Sequence, residues 1–292
     1  MKKDITELYV YVDDFCRQYD HYLNAHMLPK TRKLTRTPCL TISEMMTIIL
    51  LFQNSPIRNF KCFYTTYLNL YQSEFPTLPS YNRFIELEQR CLGYFHAFLL
   101  VLCALTKPTG LGYVDATPLP VCHNKRISRH KVFKGLAARG KTTMGWFFGL
   151  KLHLVINEKG DLLNVCLTPG NVDDRKPVRE LASKLQGLLF GDKGYVDQTL
   201  FHDLYEKGLK LVTGIKKNMK NKLLTLREKV LLRKRFVVET VIGVLKQDFQ
   251  ISHTRHRSCI NAIIHIFSTL VAYAFKTNKP SIKLRNLIQN DE

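Results

Sequence analysis

Acidic residues are scarce in this chain: 24 Asp and Glu stand against 44 Lys and Arg, a formal net charge of +20 over 292 residues. Such a deficit points to a polyanionic partner, with nucleic acid first, because each phosphate neutralised by a cation releases condensed counterions. The deficit is uneven, since residues 120–150 contain no acid at all while Lys125, Arg126, Arg129, Lys131, Lys134, Arg139 and Lys141 fall there. Paired thiols are also missing. The cysteines at 16, 39, 62, 91, 103, 122, 166 and 259 form no C-x2-C pair, which argues against a zinc site and fits free thiols in a reducing compartment. Lys2 and Lys3 are followed by Asp4 and Glu7 where a signal peptide needs an apolar run. The longest stretch without Lys, Arg, Asp or Glu, residues 258–275, carries Asn261, His265, Ser268 and Thr269, so it reads as a buried helix rather than a membrane span. Internal repeats and low-complexity tracts are absent too. What is present is 45% hydrophobic and 11% aromatic residues, enough to fold around a substantial core and to exclude general disorder.

This length predicts two domains. Apolar residues recur with helical spacing over 5–23 and 43–52, where Thr41 or Ser43 supplies the N-cap, and further helices are expected over 60–71 and 81–105. From residue 111 the pattern becomes strand-like: 111–116, 146–157 and 162–168, with Glu158-Lys159-Gly160-Asp161 as a hairpin turn. A helix near 175–185, a strand over 188–191, a helix over 198–207, a strand over 209–213 and helices over 237–247 and 260–275 complete the chain. The order βββαβαβα predicts an α/β domain with an RNase H-like mixed sheet flanked by helices. The expected division is an all-α N-terminal domain over 1–108, a sheet domain over 109–278 and a tail over 279–292.

Three acids stand out. Asp115 ends an otherwise apolar strand in Gly112-Tyr113-Val114-Asp115-Ala116-Thr117, and a charge there needs a reason. Asp192 follows the strand in Leu189-Phe190-Gly191-Asp192-Lys193-Gly194-Tyr195, at the carboxyl edge where α/β sheets bind ligands. Glu239 lies on an apolar helix, and steps of four and seven residues put Arg235, Glu239 and Lys246 on one stripe. Each has a plain structural alternative: a solvated strand end, a strand-to-helix cap and an exposed i, i+4 ion pair. Glu228 competes with Glu239 only if the helix runs unbroken between them. Carboxylates converging on two divalent ions are the donor set that phosphodiester chemistry requires.

These segments resemble the DDE transposases of bacterial insertion sequences, in the group whose third acid sits in an R-x3-E-x6-K signature, here Arg235, Glu239 and Lys246. The resemblance extends through YVDATPL around Asp115, GLKLHLVIN at 149–157, LTPGNVDD at 167–174 and GDKGY at 191–195. It covers residues 111–275. One departure is Leu232, where the fuller pattern often has Tyr three residues before the Arg. The resemblance implies a DNA-cutting and strand-joining enzyme in which Asp115, Asp192 and Glu239 hold two Mg²⁺, with Mn²⁺ able to substitute because the same oxygen donors suit both. It also implies double-stranded DNA partners, namely the element's terminal inverted repeats and its target, a homodimer on DNA, no membrane, and residence in the bacterial cytoplasm, at the nucleoid when DNA-bound. Lys246 would contact phosphate and Arg235 would orient Glu239 or touch the backbone. A nuclease or resolvase of the same fold that hydrolyses without joining is the alternative.

Smaller expectations concern the surroundings. Asn171, Asp173 and Asp174 follow a strand as a turn or as support for the acids, and His153 reads as structural. The basic run from Lys125 to Lys141, with Arg126, Arg129, Lys134 and Phe133 within it, reads as a DNA-contacting loop between the first two strands. Arg32, Lys33, Arg36 and Lys61 in the N-terminal region, and Arg255, His256 and Arg257 before the last helix, are further candidates for phosphate.

Overall fold

The structure is a computed structural model and describes residues 5–26, 38–214, 224–253 and 256–282. Arg32, Lys33, Arg36 and Arg255 lie outside the described residues. The described residues fall into two compact units, those within 1–101 and 256–275 and those within 102–255 and 276–292.

The first unit is helical. In α1 (Ile5–His26) Leu8, Val12 and Cys16 recur every four residues and form the buried stripe. α2 (Ile42–Asn54) buries Met45, Met46, Ile48, Ile49 and Leu50 on nearly all sides, so it takes the centre and packs against α1. Its start is fixed by a capping box in which Glu44 N–H donates to Thr41 Oγ1 (3.1 Å) and Thr41 N–H donates to Glu44 Oε2 (2.6 Å). α3 (Phe60–Thr65), α4 (Tyr81–Leu87) and α5 (Leu92–Leu105) follow. The helix expected over 81–105 is interrupted by a 3-10 segment at Glu88–Cys91.

The second unit is built on strands β1 (Leu111–Cys122), β2 (Ala138–Thr142), β3 (Gly145–Ile156), β4 (Leu162–Pro169), β5 (Gly187–Gly191) and β6 (Leu209–Thr213). β1 pairs antiparallel with β3 and parallel with β5, and β5 pairs parallel with β6. The far edge of β3 is shared, with β4 along residues 150–156 and β2 along 145–149. Three long antiparallel strands followed by two parallel ones give the RNase H-like order, β4-β3-β1-β5-β6, with β2 added at one end. α6 (Val178–Leu181) and α7 (Gln198–Tyr205) bury Val178, Leu181, Leu200 and Leu204 with Val114, Val155, Leu189 and Leu211 of the sheet. α8 (Leu226–Arg233) packs on β5 and β6, and α9 (Phe236–Gln247) packs on β1 and β3. The last helix, α10 (Cys259–Ala274), belongs to the first unit, where it packs against α2. Gln53 Nε2 of α2 donates to Ser268 Oγ of α10 at 2.9 Å, which satisfies a buried amide. No described helix is long and apolar enough to cross a membrane.

The structure departs from the sequence reading in further places. Asp115 does not end its strand, because β1 continues to Cys122. The helix expected near 175–185 shrinks to α6, preceded by the turn that Arg175 and Asp173 stabilise. The basic run 125–141 is not all loop, since it contains a 3-10 turn at Asn124–Arg129 and the strand β2. Phe133 within it is buried, stacked on His130, and is not presented to a ligand.

Candidate active site

The site is set by the parallel pairing of Tyr113 with Phe190, whose rings stack at 5.2 Å. Two residues further along each strand lie Asp115 and Asp192. Asp192 keeps an extended backbone (φ −75°, ψ 179°), so strand alternation carries both carboxylates to the face shared by Tyr113 and Phe190. α9 supplies the third acid. Val237, Val238, Val241, Ile242 and Leu245 are buried, which fixes the rotation of the helix and leaves Glu239 outside the packed stripe.

Electrostatics links these positions. The Asp115 carboxyl is pushed up to about 6, chiefly by burial and further by the like charges of Asp192 and Glu239, against the opposing N–H of Ala116 (2.8 Å) and the charge of Arg235. Lys246 is half-buried, and burial lowers its ammonium while the charge of Asp115 opposes the fall. The stripe is thus coupled to one partly buried carboxylate of the sheet: Arg235 and Glu239 act on Asp115, and Asp115 acts on Lys246.

As the side chains stand, each acid has an internal partner. Glu239 pairs with Arg235 at 3.0 Å, Asp192 accepts from Gly194 N–H at 2.7 Å, and Asp115 accepts from Ala116. No group of three His, Cys, Asp or Glu among the described residues is close enough to hold an ion in this arrangement. The donor chemistry nevertheless fits a hard divalent cation: the charges of Asp192 and Glu239 act on the carboxyl of Asp115, and a cation among these oxygen donors would offset that repulsion. Glu239 is half-exposed beside its Arg235 partner.

The surroundings sort clearly. Lys151 Nζ meets Asp174 Oδ1 at 2.8 Å and also donates to Val172 O, tying the turn after β4 to β3. Asp173 is held well below the carboxylate range by hydrogen bonds from Arg175, which reaches Asp197 at 3.2 Å as well. Asn171 lies exposed in that same turn. His153 is buried, bonded through Nε2 to Thr168 Oγ1 (2.8 Å), and burial lowers its pKa to about 4, so it is neutral near pH 7. Lys125, Arg126, Arg129 and Lys134 are all exposed. Glu228 caps α8 with Thr225 and pairs with Lys210 at 2.5 Å, and a turn at 234–235 interrupts the helix between α8 and α9, so Glu228 does not continue the Glu239 stripe.

Sequence reasoning passed over Tyr195. Its ring packs where a side chain at Gly191 would have to go, and its hydroxyl is buried with no hydrogen-bond partner among the described residues. Burial raises its pKa most, and the carboxylates of Asp115, Asp174, Asp192 and Asp173 raise it further. The signal available in sequence was its place in GDKGY, three residues after Asp192.

Comparison with known proteins follows the same lines. The fold is similar to a piggyBac transposase, seen by cryo-EM in a synaptic complex with hairpin DNA, with a TM-score of 0.51 and 9% identity over 93% of this chain and 71% of that one. A pre-cleavage Mos1 transpososome aligns at a TM-score of 0.22 and 10% identity over 95% of each chain, so the likeness in fold rests on the first. No curated protein sequence matches this chain. Residues 105–259, just over half of the chain, match the family described as Transposase DDE domain, and the chain belongs to that family.

Proposed function

We propose that this chain is a DNA transposase of a bacterial insertion sequence, in which Asp115, Asp192 and Glu239 hold two Mg²⁺, or Mn²⁺ in their place. The observation that carries this reading is the strand register that sets Asp115 and Asp192 each two residues beyond the paired Tyr113 and Phe190, with Glu239 of α9 near enough for its charge to act on Asp115. Divalent ions bound by such acids polarise a phosphodiester and lower the pKa of an attacking water or 3′-hydroxyl. The protein's own part is positional. Asp115 and Asp192 are fixed by strand register, and Glu239 reaches the sheet by leaving Arg235, whose guanidinium is then available to DNA phosphate. Lys246, which feels the charge of Asp115, meets a phosphate oxygen close to the same carboxylates. Lys125, Arg126, Arg129 and Lys134 track the DNA backbone outside the reacting centre. Asn171 lies in the turn held by Asp173 and Asp174 and supports the acids from outside. The helical N-terminal region, taken with 1–108 as its extent, binds the terminal repeats, and two copies act together on paired ends.

The test is cleavage and strand transfer on a labelled duplex carrying the element's ends, with Mg²⁺ or Mn²⁺, for wild type and Asp115→Ala, Asp192→Ala and Glu239→Ala. All three variants should lose both steps while still binding DNA. A wild type that cuts without joining is a nuclease, and retained activity in any of the three variants removes that acid from the site.

A further inference from the structure

The β2–β3 ribbon turns an unusual face outward. Lys141 pairs across it with Trp146 and Arg139 with Phe148, so strand alternation puts two cations and two aromatics on one side, while Gly140 and the buried Phe147 take the other. Trp146, the single tryptophan of the chain, is 57% exposed, and Met144 in the turn is 96% exposed. Arg139 and Lys141 are exposed beside them, and Lys141 Nζ sits 5.6 Å from the centre of the indole ring. Asn124 Nδ2 donates to Trp146 O at 2.6 Å, which anchors the backbone under the ring. The opposite face is locked, since a side chain at Gly140 would meet Gly170 O at 2.2 Å and one at Gly149 would meet Leu119 O at 2.1 Å.

A large aromatic left in water on a rigid strand, flanked by cations and with no acid anywhere from 120 to 150, matches the requirements of a nucleobase platform: a π-face for stacking and positive charge for the adjoining phosphates. We infer that the Arg139, Lys141, Trp146 face of the β2–β3 ribbon binds an unpaired nucleobase, stacked on Trp146, in DNA flanking the reacting phosphate. Trp146 lies eight residues before Leu154, the cross-strand partner of Asp115, about 26 Å along β3. The stacked base is therefore not the one being cut. This inference rests on the reading of the chain as a DNA-acting protein.

A lone tryptophan makes the test direct. Without divalent ions, indole emission is recorded while the full chain is titrated with a short blunt duplex or with the same duplex bearing a single-stranded thymine tail, and affinities are read separately by anisotropy of labelled DNA. The tailed duplex should quench emission strongly and the blunt one weakly. Trp146→Ala should weaken binding of the tailed duplex about fivefold or more, in line with the loss of one stacked base, with the blunt duplex unaffected and Trp146→Phe close to wild type. Equal quenching by both duplexes, or an equal loss on both in Trp146→Ala, overturns the platform and leaves the transposase reading standing. A wild type that binds neither DNA sinks both.

Discussion

The Arg235 guanidinium meets the Glu239 carboxylate at 3.0 Å, one helical turn away and with both side chains partly in water. A pair so placed adds little to stability, on the order of 0.5 kcal/mol or less, yet it occupies the acid on which the proposed metal site depends. Arg235→Ala should therefore leave the urea unfolding free energy within about 0.5 kcal/mol of wild type. Single-turnover DNA cleavage should fall roughly tenfold, the loss of one charge-assisted contact to phosphate. A large loss of stability with unchanged cleavage would make the pair structural.

Asp115 ionises at a cost in the folded protein, because its carboxyl, raised to about 6, sits above its unfolded value. Stability from the protonated form is present below the ordinary aspartate pKa and is lost as pH rises through about 6. In EDTA near pH 7.5, Asp115→Asn should consequently stabilise the fold, by up to about 2–3 kcal/mol, and the gain should vanish near pH 4. Added Mg²⁺ should raise the melting temperature of wild type and not of the variant. A variant that melts below wild type in EDTA would show that the charge is well accommodated without a cation.

Glu88 gives a second pH dependence, away from the sheet. Burial in the 3-10 segment between α4 and α5 pushes its carboxyl up to about 8, so the folded state holds a proton that the unfolded chain releases near its ordinary value. Stability should decline as pH rises from about 5 to 8, and Glu88→Gln should remove that slope and gain up to about 4 kcal/mol at pH 8. Urea midpoints at the two ends of the range measure it; parallel curves for the two proteins would mean that Glu88 is solvated.

Local pattern made β5, β6 and α9 legible, because apolar runs bounded by Gly187, Gly191 and Gly208, or repeated at helical spacing, need no partner to be recognised. β2 was not legible. Ala138-Arg139-Gly140-Lys141-Thr142 has no apolar alternation, and it is a strand because β3 offers an edge and Gly140 lets Gly170 approach. β1 runs on through Pro118 and Pro120 to Cys122, past the expected end at residue 116. β5 pairs with β1 only as far as Tyr113, so beyond it that side of β1 has no partner in the register. Both prolines fall at alternate positions, and their missing donors cost nothing if they face that side. The three acids were visible one at a time, each next to a local signal. Only the family resemblance grouped them, while the burial of Tyr195 and the Lys151–Asp174 pair were not visible at all, since each depends on which strands lie side by side.

Glu228 and Glu239 offer the sharpest contrast between structure and chemistry. Both are acids near the start of a helix, eleven positions apart. Glu228 is 6% exposed, closes a capping box with Thr225 and pairs with Lys210, so Glu228→Ala removes a cap and leaves a cation near the edge strand unpaired. The expected cost is about 2 kcal/mol of stability, with DNA cleavage per folded molecule close to wild type. Glu239 caps nothing that packing depends on, so Glu239→Gln should unfold at the wild-type urea concentration and lose cleavage by about a thousandfold or more, as expected where a ligand that stabilises transition-state charge is removed. Measuring urea midpoints and cleavage rates on the two variants side by side decides the matter. If Glu228→Ala abolishes cleavage while folded and Glu239→Gln cuts normally, the third acid of the site is Glu228, and the Arg235–Glu239 pair is an ordinary surface ion pair.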